Sequence, residues 1–184
     1  MGLRNRNNLT AEQFYFVTTT VRKHANVFVN SDYCDILINN IKYYQKKYEF
    51  IILGYVIMPS HFHWIVKTEP KTGTISDIMR DIKKYTAWDV LEKLEKEKPE
   101  MLQVFRKEVK PGQKRQFWIH RFDDQVIRNN KMFWTKLKYI HNNPVKAGLV
   151  ERSIDYKYSS ARNYMKQDHS VIFVDTTWGG VEIL

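Results

Sequence analysis

A single cysteine, Cys34, stands in 184 residues, so no internal disulfide can form and a cysteine-rich zinc site is excluded. That usage fits a reducing cytosol. No apolar run approaches a membrane span, since the longest, Ile51 to Met58, has only the length of a strand. The opening "MGLRNRN" lacks the apolar core of a signal peptide, and Arg6 stands where a myristoylation signal carries Ser or Thr. These absences lead to the expectation of a soluble, cytoplasmic protein. Acidic residues are in deficit: 20 Asp and Glu face 30 Lys and Arg, a net charge of +10. Such an excess points to a polyanionic partner, nucleic acid first and a membrane surface second. Internal repeats and low-complexity segments are also missing. What is there is a normal apolar share of 43% with 14% aromatics, which excludes disorder. The length fits one domain over residues 1–184, with a short basic N-terminal arm and an unassigned tail from about residue 166.

"FYFVTTTV" (Phe14 to Val21) is aromatic and β-branched and predicts a strand. In "SDYCDILINNIKYYQKKY", Ile36, Leu37, Ile41 and Tyr44 recur at helical spacing behind a cap at Ser31 or Asp32. "FIILGYVIM" and "HFHWIVKT" are two strands joined by the tight turn "PS", a hairpin. A second helix starts at a Thr/Ser cap, carries Ile75, Ile78, Met79 and Ile82 on one side, and ends at Pro99. Residues 96–115 form a lysine-rich connector, and "RQFWIHRF" resumes strand character. "NKMFWTKLKYIHNN" is a third helix, stopped by Pro144, with a turn at Gly148. The order β-α-β-β-α-β predicts an α+β, ferredoxin-like antiparallel sheet with helices on one face, plus an additional C-terminal helix. The same fold carries RNA-recognition motifs, so fold alone does not assign function.

Within "MPSHFHWIV", His61 and His63 are two residues apart on a strand and therefore share one face, while Phe62 points to the other. Two imidazoles on one face can hold one divalent ion, or they can simply cap a half-exposed strand. A metal needs further ligands. On the third helix, Tyr139 and Asn143 are four residues apart and share a face. Asn143 offers a carboxamide oxygen and Tyr139 a phenol nucleophile. The plain alternatives are a helix-terminal asparagine and a core aromatic. His141 is a rival ligand, but at i+2 it turns away from that face.

"MPSHFHWIV", "SDIMRDIKKYT", "YIHNNPVKAGLV" and "YKYSSARNY", in this order, resemble the IS200-like single-tyrosine transposases, and more closely their REP-associated tyrosine transposase branch. The likeness runs from about Phe14 to about Tyr164. It implies a nuclease with paired histidines around a hydrophobic residue, a divalent ion (Mg²⁺ or Mn²⁺), and one catalytic tyrosine. His61 and His63 match the paired ligands, Asn143 the third ligand and Tyr139 the nucleophile. The implied substrate is hairpin-containing single-stranded DNA, placing the protein at the nucleoid. The implied reaction is cleavage and rejoining through a 5′-phosphotyrosine, with no protein partner and a monomer favoured over a homodimer.

The basic surplus fits a groove that tracks phosphates, with Arg80, Lys83, Lys84, Arg115, Arg121 and Arg128 as candidate DNA contacts and Trp88, Phe117 or Trp118 as stacking partners. Two rival functions remain. A non-catalytic RRM-like binder needs exposed aromatics on the central strands, with Phe62 or Trp64 as candidates. A metal-dependent hydrolase using water needs no tyrosine.

Overall fold

The computed structural model describes residues 13–69, 71–106 and 115–177. The N-terminal arm, Pro111-Gly112 of the connector and the final "VEIL" lie outside the described residues. Strands β1 (Gln13–Thr20), β2 (Ile51–Met58), β3 (His61–Thr68) and β4 (Asp123–Ile127) form one sheet in the order β2-β3-β1-β4. Every neighbouring pair is antiparallel, and this is the ferredoxin-like order.

Helices α1 (Ser31–Tyr48) and α2 (Ile75–Glu97) cover one face of the sheet. The side chain of Asn30, one residue before the expected cap, accepts from the Asp32 amide and starts α1. Thr74 and Asp77 form a capping box at the start of α2. Leu37, Ile41, Ile78 and Ile82 meet Tyr55, Phe62 and Trp64 in the main core.

The opposite face is covered by α3 (Asn130–Lys146), with Phe133, Leu137 and Ile140 on Phe16, Leu53, Val56 and Ile65. The approach is close at Gly54, where an added Cβ would lie 2.6 Å from Leu137 Cδ1. Pro144 does not stop this helix, which runs on to Lys146 and turns at Gly148 with φ +67°. Proline removes only its own donor here, and the Ala147 amide still reaches Asn143 O at 3.0 Å.

Residues 115–122 are not the fourth strand either. Only isolated bridges occur there, at Arg115 and Trp118, and the ladder begins at Asp123. The consecutive side chains of Phe117 and Trp118 both enter the main core, which strand alternation forbids. The C-terminal segment closes the β2 edge: within "YKYSSARNY", Tyr158 O accepts from Ile57 and Ser160 donates to Tyr55 O, and in the tail that had no assignment Asp175 donates to Ile52 O, each at 2.9 Å. It includes a short helix, α4 (Ala161–Lys166).

Candidate active site and nucleic-acid groove

The strand register sets the site. His61 pairs with Thr20 and His63 with Thr18, so both imidazoles stand on the face covered by α3. Their ring centroids are 4.8 Å apart. His63 is 4% exposed and stacks on Phe16 at 5.7 Å. Its Nδ1 bonds Thr18 Oγ1 at 2.7 Å, and its buried Nε2 has no partner. With the Thr18 hydroxyl accepting from Nδ1–H, the imidazole carries its lone pair on Nε2, the tautomer a metal or a proton donor requires. Burial, then the charges of His61 and Lys136, pushes the His63 pKa down to about 3. Burial also lowers that of His61, so both rings are neutral at pH 7.

Helix α3 brings Tyr139 over this pair. Its ring lies edge-on to His63 at 5.2 Å and to Phe16 at 6.0 Å. Tyr139 is 41% exposed, which removes the core-aromatic alternative, and no hydrogen bond engages its hydroxyl among the described residues. Two other tyrosines near the sheet are engaged: Tyr156 and Tyr164 donate to Ile57 O at 2.9 Å and Leu53 O at 2.7 Å. Burial raises the pKa of both. One turn beyond Tyr139, the amide nitrogen of Asn143 is buried without a partner. Rotating that amide by half a turn puts its oxygen in the same place. His141 is turned away, with Nε2 2.9 Å from Ser160 Oγ.

Among the described residues, no three His, Cys, Asp or Glu gather around one point. The donor set available at this face is two neutral imidazoles plus a carboxamide, and the orphaned Nε2 of His63 and amide of Asn143 fit a divalent ion. Asp123, opposite Thr18, puts a carboxylate on the same face, two strands from His63. Thr18 and Lys136 were not singled out from the sequence. Thr18 needs the register, whereas Lys136 carried a readable signal, three residues before Tyr139 on one helix face.

A groove of about 620 Å³ separates α2 from residues 115–122 and gathers Arg80, Lys83, Lys84 and Arg115 beside Trp88. Trp88 is 61% exposed, whereas Phe117 and Trp118 are buried and unavailable for stacking. Arg80 is shared between Asp77 and Asp81, and Arg115 pairs with Glu95. Lys83 donates to Ile119 O at 3.0 Å, and burial pushes its pKa down to about 8. Arg121 and Arg128 lie outside the groove, exposed at either end of β4. The groove wall joins the histidine strand pair, since the Ile119 amide donates to the carbonyl of Thr20, the residue opposite His61. Phe62 and Trp64, which an RRM-like binder would need exposed, are buried beneath α1 and α2. Among the described residues, no helix is long and apolar enough to cross a membrane.

A ferredoxin-like sheet, a His-x-His strand and a tyrosine helix laid over it define the class of single-tyrosine transposases, and the chain belongs to the IS200-like transposase family, whose model matches residues 10–143. Its similarities within that class are to REP-associated tyrosine transposases. A curated Haemophilus influenzae protein so described is 24% identical over 175 residues, covering 95% of this chain and 92% of the relative. A REP-associated tyrosine transposase solved bound to a REP hairpin superposes with a TM-score of 0.68 at 24% identity, covering 99% of each chain.

Proposed function

We propose that the protein is a metal-dependent transesterase of single-stranded DNA that cleaves and rejoins hairpin-containing substrates through a 5′-phosphotyrosine on Tyr139. The observation that carries this reading is the exposed Tyr139 ring set against His63, whose Nε2 is buried and unpartnered. The solved relative bound to a REP hairpin supports hairpin DNA as the substrate class.

His61, His63 and Asn143 would hold the divalent ion, Mg²⁺ or Mn²⁺, which supplies Lewis-acid polarisation of a phosphodiester oxygen. Tyr139 Oη attacks phosphorus. The Oη–P bond forms, the P–O3′ bond breaks, the phenol proton leaves to solvent and the departing 3′-oxygen takes one up. The ester energy is conserved in the new bond, so a 3′-hydroxyl can reverse the step and join strands. Helix α3 packs on β2 and β3 of its own chain, which supports a site complete in one subunit and a monomer needing no protein partner. The single-stranded flank would follow the α2 groove, with Lys84 and Arg80 on phosphates and Trp88 on a base. Arg121 and Arg128 extend the positive edge along β4.

The test is a labelled hairpin with a single-stranded flank, incubated with protein and Mn²⁺ and run on a denaturing gel. A covalent shift is expected. Free cleavage products without a shift would indicate a water-using hydrolase, and retardation on a native gel alone would indicate a binder.

Hairpin affinity should fall roughly 50-fold between about 50 and about 200 mM salt if about four phosphates are contacted. Filter binding across that range measures it, and a flat response would remove the groove from the reading. Thr18→Val keeps the shape and removes the hydroxyl at Nδ1, so the apparent Mn²⁺ affinity should fall by about 10-fold, with Thr18→Ser restoring it. Calorimetric Mn²⁺ titration separates the three proteins, and equal affinities would show that the Thr18 bond does not orient the ring.

A further inference from the structure

Lys136 has no role in the reading above, yet it stands at the same cluster. It lies three residues before Tyr139 on α3, half-buried, with Nζ 4.6 Å from the centroid of the Phe16 ring that also stacks on His63 and meets Tyr139. Among the described residues no carboxylate pairs with it. Asp123, on the same face, is two strands from His63 and its charge is felt by Lys83 on the groove side. The charge of Lys136 is instead felt by His63.

An ammonium beside a pair of neutral imidazoles is an unfavourable neighbour for a divalent cation, because two positive charges at this range repel through a medium less polar than water. Among the described residues, no acidic side chain forms an ion pair that would neutralise it. An anion seated between the two would turn that repulsion into two attractions. Other lysines of the helix, such as Lys131 and Lys138, are exposed. Lys136 alone among them is laid against the ring cluster of the site, and holding its Nζ there costs side-chain entropy that a solvated lysine keeps.

We propose that Lys136 is a catalytic cation: its Nζ donates a hydrogen bond to a non-bridging oxygen of the scissile phosphate and stabilises the charge that gathers there as Tyr139 attacks. The inference rests on the transesterase reading. Lys136 makes and breaks no covalent bond. The bond changes remain those at Tyr139 Oη and O3′, and the ammonium keeps its protons throughout. A phosphodiester with one negative charge becomes a more highly charged five-coordinate phosphorane at the transition state, so a fixed ammonium gains more there than in the ground state. The same contact would hold the phosphotyrosine until a 3′-hydroxyl returns.

The bland alternative is that the lysine stem merely packs on Phe16 and so keeps His63 in place. Lys136→Met distinguishes the two, because Met retains an unbranched apolar stem over the ring and removes only the charge. If the proposal holds, single-turnover adduct formation on the hairpin substrate falls about 100-fold, with hairpin affinity nearly unchanged, because the charge acts on the transition state. Mn²⁺ affinity measured without DNA stays equal or tightens, since a repelling charge has gone. Lys136→Arg recovers part of the rate.

Two results would overturn the proposal while leaving the transesterase reading intact: parental adduct rates in Lys136→Met, or a rate loss accompanied by weakened Mn²⁺ binding. No adduct from the parental protein would remove both the reading and the proposal. Melting temperatures of all three proteins, expected to agree, exclude misfolding as the cause.

Discussion

Tyr139→Phe abolishes the covalent protein–DNA adduct while the fold, metal binding and hairpin binding persist: this is the expected result with the largest effect. The phenol oxygen is the only atom lost. The ring keeps its edge contacts with His63 and Phe16, and the hydroxyl leaves no broken hydrogen bond behind, since none engages it among the described residues. Stability should therefore change by less than about 0.5 kcal/mol, as for a substitution at an exposed position. Removing a covalent nucleophile costs on the order of 10⁴-fold or more in rate, so no adduct should be visible on a gel. Mass spectrometry of the parental adduct should find the phosphate on the Tyr139 peptide. Finding it on Tyr85, Tyr156, Tyr158 or Tyr164 would keep the chemistry and discard the residue. A Tyr139→Phe protein that still forms adduct would do the same.

The parts of this site legible in the sequence are those fixed by local periodicity. Alternation on β3 puts His61 and His63 on one face from their spacing alone, and helical spacing does the same for Tyr139 and Asn143 on α3. Both relations are local and survive packing. Which face of the sheet α3 would cover, and that Thr18 stands beside His63, depend on strand register and on a long-range return of the chain. No short segment encodes either.

The same distinction explains the misplaced fourth strand. "RQFWIHRF" has the residue types of a strand, but Phe117 and Trp118 are pulled together into the core beneath α2. The ladder falls instead to Asp123–Ile127, whose charged start suits an edge strand and reads poorly as a strand in isolation. At Pro144 the local rule overstated its case: a proline near the helix end loses one donor, and the helix still continues through Val145 and Lys146. The tyrosines of "YKYSSARNY" enter the sequence reading only as part of a motif of the family resemblance. Their role here is in edge closure, because the Tyr156 and Tyr164 hydroxyls are donors to carbonyls of β2.

His63→Ala should remove detectable cleavage and leave hairpin affinity within about twofold, because on the proposed reading the phosphate contacts of binding lie along the α2 groove rather than at the histidines. Its effect should exceed that of Asn143→Ala, whose amide is one of the three proposed metal donors and whose loss raised Mn²⁺ should partly restore. The structural cost is real but limited. The substitution strands Thr18 Oγ1, which is bonded to Nδ1 at 2.7 Å, and takes away the ring stacked on Phe16. Losing a buried partner and a ring of this size costs roughly 2 to 4 kcal/mol, enough to lower the melting temperature and short of unfolding a stable domain. His141→Ala is the matched control. His141 is half-buried, is pushed down to a pKa of about 4 by burial, and is bonded to Ser160 rather than facing Tyr139. It should lower stability without changing the dependence of cleavage on Mn²⁺. If His141→Ala instead shifts the metal dependence while His63→Ala does not, the ligand set is wrong and the metal belongs on the other side of α3. If both variants cleave at the parental rate, the paired histidines are structural and metal is bound elsewhere or not at all.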